Sequence, residues 1–151
     1  MEGMDEDDVL WKPAPDRFSI AEVLEHLAHG EGHCYRARLD LFLEEENPLL
    51  EAYDTDTYIA NDQYRERDPE ESFAHFEEQR ELNVELLRDL EDEKANLPAK
   101  HSSKGAITLS QMLFEWATHD VGHIRQICEL KRARVFGPHL GPFAVEYNLK
   151  P

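Results

Sequence analysis

Three helix-length stretches of this chain carry apolar residues at helical spacing, and each is bracketed by its own start and stop signals. Ser19 and Glu22 form an S-x-x-E capping box, and Thr108 and Gln111 form a second box of the same kind. Asp68-Pro69-Glu70-Glu71 supplies a cap, a proline at the first helical position and acids in the first turn. Asn47-Pro48, Asn96-Leu97-Pro98 and Gly137-Pro138 close the three stretches. The pattern predicts helices over 19–46, 69–93 and 109–135. No stretch alternates with period two and β-branched enrichment, so the chain reads as all-α. The polar segment 49–67, with Tyr53, Tyr58 and Tyr64, has room for a short helix.

Each predicted helix has a wide apolar stripe that requires a bundle to bury it. The first carries Ile20, Val23, Leu24, Leu27, Cys34, Leu41 and Phe42. The second carries Phe73, Phe76, Val84, Leu87 and Leu90. The third carries Leu109, Met112, Leu113, Trp116, Ile124, Ile127 and Leu130. The third stripe is interrupted on its apolar side by His119, Asp120 and His123. Residues at i and i+4 project together from one helix face, and two convergent imidazoles are the simplest half of a divalent-metal site. The same pattern also suits two histidines hydrogen-bonded inside a core.

On the first helix His26 sits at the edge of the apolar stripe and is the candidate third ligand. His29 and His33 fall toward the polar side and read as solvated. Glu31 and Arg38 lie near the centre of the apolar side, where charges are paired or functional. Glu31 reads either as one half of a structural ion pair or as a group orienting a ligating imidazole. His75 faces outward, and His101 and His139 fall in loop and tail. Cys34 and Cys128 read as small core residues with reduced thiols. No nucleophile elbow, phosphate-binding glycine loop or dinucleotide fingerprint is present.

Length and charge set outer bounds. A chain of 151 residues can bury about two-thirds of its unfolded surface, enough for one domain. We expect a mobile acidic opening over 1–10 and a single domain over 11–151. The formal charge of −17 works against phosphate backbones and anionic membranes, so neither nucleic acid nor membrane is an expected partner. With no secretory or membrane-spanning segment apparent, the expected location is the cytoplasm.

The ordered set of motifs resembles the DinB-like superfamily. Trp11-Lys12-Pro13, then Phe18-Ser19-Ile20-Ala21-Glu22-Val23-Leu24-Glu25-His26-Leu27, is similar to that family's opening motif. Gly105, Thr108 and Leu109 resemble the lead-in to its last helix, and His119-Asp120-Val121-Gly122-His123-Ile124-Arg125-Gln126-Ile127 resembles its closing H-D-x-x-H-x-x-Q-I. The resemblance implies a four-helix-type bundle with a three-histidine metal site, here His26, His119 and His123, and zinc or nickel as the ion. It also implies either hydrolysis or transfer involving a low-molecular-weight thiol co-substrate, acting on a small molecule. Asp120 and Glu31 are the candidate acid-base or ligand-orienting groups. A non-catalytic module with a structural or regulatory metal site is the alternative.

The sequence departs from the family where a long helix usually precedes the W-x-P strip, since only about ten residues precede Trp11 here. The expectation is a missing or shortened first helix, an apolar groove left open, and a two-fold homodimer closing it, or else a monomer whose apolar tail or entry strip packs into it.

Overall fold

The computed structural model describes residues 3–52, 67–147 and 149. Tyr53, Tyr58 and Tyr64, and with them most of the segment given room for a short helix, lie outside the described residues. Helix α1 spans Glu6–Leu10, α2 Ile20–His29, α3 Ala37–Glu44, α4 Pro69–Arg88 and α5 Leu109–Lys131.

All three predicted starts are present. Ser19 accepts from the Glu22 amide at 3.2 Å while Glu22 accepts from the Ser19 amide at 2.7 Å. Thr108 and Gln111 make the same reciprocal pair at 3.3 and 2.9 Å. Asp68 accepts from the amides of Glu70 and Glu71. Each cap satisfies amide donors that a helix end otherwise leaves without partners.

The first predicted helix is not continuous. Between α2 and α3 the chain widens into a π-helical segment, Gly30–Arg36, before α-helix resumes. Such a widening shifts the phase of the side chains that follow it, and within it Glu31, Cys34 and Tyr35 are buried.

Two apolar clusters form the core. One joins Val9, Ile20, Val23, Leu24, Leu27 and Leu130; the other joins Leu39, Phe42, Leu50, Ala99, Leu109 and Met112. The run from α2 to α3 passes from the first cluster to the second, and α5 passes back from the second to the first. These helices are therefore antiparallel, and residues midway along each are neither in one cluster nor the other. Those midway residues include the polar ones that break the stripes.

The fold is a helical bundle with one addition that the all-α reading did not contain, a small three-stranded sheet. Strand β1, Leu49–Leu50, pairs parallel to β2, Pro98–His101, which pairs antiparallel to β3, Gly105–Thr108. Strands of two to four residues are too short to display alternation. His101, read as a loop residue, ends β2 opposite Gly105, whose φ of +82° turns the hairpin at a backbone angle that glycine tolerates.

The acidic opening expected to be mobile contains α1, capped by Asp5, with Val9 buried in the first cluster and Asp8 paired to Arg134 at 2.9 Å. Other differences concern individual core positions. Ile124 is 57% exposed and Phe73 is 43% exposed, and the residues that α4 buries are polar, Ser72 and Asn83. Helical spacing identifies a face but not which part of it is covered. Phe143, Val145 and Tyr147 of the apolar tail are also exposed, so these side chains do not fill a groove.

Candidate metal centre

His26 on α2 and His119 and His123 on α5 converge. His26 Nε2 lies 3.1 Å from His119 Nε2, and His119 Nε2 lies 3.2 Å from His123 Nε2. One ring nitrogen from each residue falls within 4.8 Å of the other two. Three nitrogens bound at 2.0–2.1 Å around one tetrahedral ion would stand roughly 3.3 Å apart, so the spacing suits a shared ion. Among the described residues no fourth histidine, cysteine or carboxylate joins this group.

The protons also favour an ion. Gln126 Oε1 lies 2.9 Å from His123 Nδ1, which assigns the ring proton to Nδ1 and leaves the Nε2 lone pair facing its neighbours. His119 Nε2 is then approached by two other ring nitrogens, and one proton can serve only one of those contacts. His119 Nδ1 is buried with no hydrogen-bond partner. Asp120 Oδ1 stands 3.6 Å away, too far for a hydrogen bond but close enough for a favourable charge contact with Nδ1–H. A cation on the Nε2 side would remove the conflict and leave that proton on Nδ1.

Burial, followed by the neighbouring His123, His119 and His29, lowers the His26 pKa to about 3. Burial and His119 likewise lower that of His123, with Gln126 and Asp120 opposing. Both rings are neutral near pH 7, the state in which imidazole ligates. Phe18 packs at 5.8 Å from the His26 ring, and Tyr35 packs edge-on to His119 at 5.5 Å while stacking on Trp116 at 4.7 Å.

Glu31 does not touch the histidines. It is 1% exposed and accepts both Nε and Nη2 of Arg80 at 2.7 Å, Asn83 Nδ2 at 3.1 Å and the Trp116 indole N–H at 3.1 Å. Arg38, the other charge on that face, instead donates to the Glu51 carbonyl at 2.8 Å. Of the two readings of Glu31, the geometry matches the structural ion pair. Arg80 also reaches Asp120 Oδ2 at 2.6 Å, so it links Glu31 to the carboxylate beside His119. Burial alone would raise the Asp120 pKa, but His119 and Arg80 outweigh it and hold it below the usual carboxylate value.

Sequence reasoning missed Arg80, Asn83 and the Trp116 donor. The available signal was a charge inside an apolar stripe, because Arg80 lies four residues from both Phe76 and Val84. Of the histidines read as solvated, His29 is half-buried and stacks on His33 at 4.5 Å, while His33 is exposed. Burial and then His33 lower the His29 pKa to about 4. Cys34 is buried, which raises its pKa and makes it a poor nucleophile; Cys128 is exposed rather than a core residue.

Two cavities flank the centre. One, of about 330 Å³, lies between α4 and α5 and is lined by Val84, Leu87, Leu113 and Trp116 with the already paired Arg80 and Asp120. The other, of about 340 Å³, lies between the entry strip and α5.

A family model described as the DinB superfamily matches residues 1–127. The chain is 31% identical over 116 residues to "Putative metal-dependent hydrolase YfiT" of Bacillus subtilis, an alignment covering 76% of this chain and 65% of that protein. It is 28% identical over 117 residues to "Putative metal-dependent hydrolase OB0782" of Oceanobacillus iheyensis, covering 76% of this chain and 67% of that protein. The chain thus spans about two-thirds of the length of these curated relatives. The solved structure of YfiT, described as a "probable metal-dependent hydrolase with an unusual four-helix bundle topology", superposes with a TM-score of 0.73 at 28% identity, covering 86% of this chain and 74% of that one.

Proposed function

The chain belongs to the DinB superfamily, and from that premise we propose that it is a metal-dependent enzyme, of the hydrolase type its relatives are named for, acting on a small molecule. The observation that carries this reading is the convergence of three ring nitrogens from His26, His119 and His123 with contacts of 3.1 and 3.2 Å. These three residues would hold the ion, with zinc or nickel suited to neutral imidazole donors. When bound, a divalent ion supplies Lewis acidity, which polarises an acyl or phosphoryl oxygen and eases deprotonation of water.

The remaining work falls to the chain's own groups. Gln126 fixes the His123 ring through its Nδ1 proton. Asp120, itself held by Arg80, faces the His119 Nδ1 proton and orients that ring as a positioning group rather than as a catalytic acid. Glu31, spent on four donors, acts one step further out by holding Arg80. Three protein ligands leave coordination positions open, which supports catalysis over the alternative of a closed structural site, where four protein ligands are usual. A thiol co-substrate would occupy the same open positions, but no geometric feature selects it over water.

Metal analysis of the protein purified without an affinity tag tests the reading. About one zinc or nickel per chain is expected, falling below a tenth in His119→Ala, with hydrolysis of a panel of small esters and amides lost in parallel. Ion-free wild-type protein that also takes up no added zinc or nickel would overturn it. We further infer a two-fold homodimer, supported by the exposed Phe114, Val121 and Ile124 on one face of α5. Light scattering at micromolar concentration should give twice the chain mass, and a monomer refutes the pairing.

A further inference from the structure

We propose that the cavity between the entry strip and α5 binds an anionic group, a carboxylate or phosphate, and that it anchors the acidic end of a small substrate beside the histidine centre. The second half of this statement rests on the function proposed above; the first does not. The cavity is lined by Arg17 and Phe18 from the entry strip and by Gly122, Arg125, Gln126 and Glu129 from α5. Two of these residues belong equally to the histidine centre, since Phe18 packs on His26 and Gln126 bonds to His123. Whatever occupies the cavity therefore lies against residues that hold the centre in place.

Charge is the main argument. The chain carries −17 overall, with 16 lysines and arginines against 33 acids, so a cluster of cations facing one cavity stands out. Neither Arg17 nor Arg125 has a side-chain ion pair or hydrogen bond among the described residues, although 33 acids are available in the sequence. The one acid lining the cavity, Glu129, is neutralised by Arg132, which contacts both of its oxygens at 2.7 and 2.8 Å. The cavity is therefore locally positive by two guanidinium groups on a strongly negative molecule. Gln126 adds a third donor set, because its carbonyl oxygen is used by His123 and its amide N–H groups remain to donate. Guanidinium forks and amide donors match the oxygens of carboxylates and phosphates. The α4–α5 cavity has no such property, because its arginine is already consumed by Glu31 and Asp120.

Gly122 is the second argument. A glycine inside a helix is destabilising relative to alanine, because it loses more backbone freedom on folding. Nothing lies within 4 Å of where a Cβ at this position would stand, so packing does not require glycine here. Gly122 lines the cavity one turn before Gln126, and its missing side chain leaves that space open.

The test is a titration of the metal-loaded protein with succinate, with inorganic phosphate and with neutral succinamide, followed by NMR of the arginine Nε–H and Gln126 amide signals. Saturable shifts with one or both anions are expected, with succinamide at least tenfold weaker. Succinate alone assigns a carboxylate site, and phosphate alone a phosphate-ester site. In Arg17→Gln/Arg125→Gln anion affinity should fall at least tenfold with bound metal unchanged, whereas Arg88→Gln/Lys94→Gln, which removes the same charge outside the cavity, should bind like wild type. Gly122→Leu should block anions while retaining metal. Absence of saturation with both anions overturns the proposal. So do equal losses in the two double variants, or an unaffected Gly122→Leu. Loss of anion binding in metal-free His119→Ala but not in the arginine variant would place the anion on the ion, overturning this site while leaving the metal reading intact. If wild-type protein holds no ion, the same titration still decides the cavity by itself.

Discussion

Two groups of polar side chains break the apolar faces of this bundle, and they differ in whether they are complete. Around Glu31 every requirement is met inside the chain, with four donor contacts from Arg80, Asn83 and Trp116 on one buried carboxylate. Around His119 the accounts do not close. Three ring nitrogens face one another with too few protons, and His119 Nδ1 has no hydrogen-bond partner. Buried polar groups normally find partners, so the closed network suits a structural role, while the three histidines are a group that could hold a metal ion. Arg80 joins the two by contacting both Glu31 and Asp120, so the complete network supports the incomplete one.

The largest effect should come from opening the closed network. Arg80→Ala leaves the Glu31 carboxylate buried without its main partner and should destabilise the fold by about 3–5 kcal/mol in denaturant unfolding. A loss below 1 kcal/mol would mean that the two networks do not differ as described. The histidine cluster should respond to an ion instead. Saturating zinc at about 100 times its dissociation constant should stabilise wild-type protein by roughly 2.7 kcal/mol, and this gain should vanish in His119→Ala while the metal-free variant stays folded. A comparable gain in the variant would remove His119 from the ligand set.

Gln126→Ala frees the His123 ring and should weaken metal affinity about 10–100-fold, measured by competition with a chromogenic chelator. His29→Ala should leave affinity unchanged, because His29 stacks on His33 rather than joining the cluster. A further effect is that of pH on metal-free protein. His26 has a pKa of about 3 when folded against about 6.5 when unfolded. Between those values the unfolded chain binds a proton that the folded chain does not, so stability falls as pH drops below 6.5 and is flat above it for this group. Denaturation at pH 7.5 and pH 5 should differ by roughly 1–2 kcal/mol from His26, and equal stability would contradict neutral buried rings.

What could be read from the residues was whatever depends on near neighbours along the chain. Caps at Ser19, Asp68 and Thr108 act over three residues, and the His119–His123 pair acts over one helical turn, so local spacing determined both. His26 was legible from spacing only as a candidate at the edge of an apolar stripe, and the resemblance to the family's opening motif singled it out. The tertiary structure alone decided which partner each buried charge takes. Glu31 met Arg80, 49 residues away, rather than Arg38 seven residues away, because α4 brings the Arg80 guanidinium against its carboxylate while Arg38 donates to the Glu51 carbonyl. The small sheet likewise formed from strands too short to carry a period, held by pairing between Leu49–Leu50 and Pro98–His101 across a gap in sequence. Local energies set where helices begin; which long-range contact satisfies a buried charge depends on packing that no local pattern encodes.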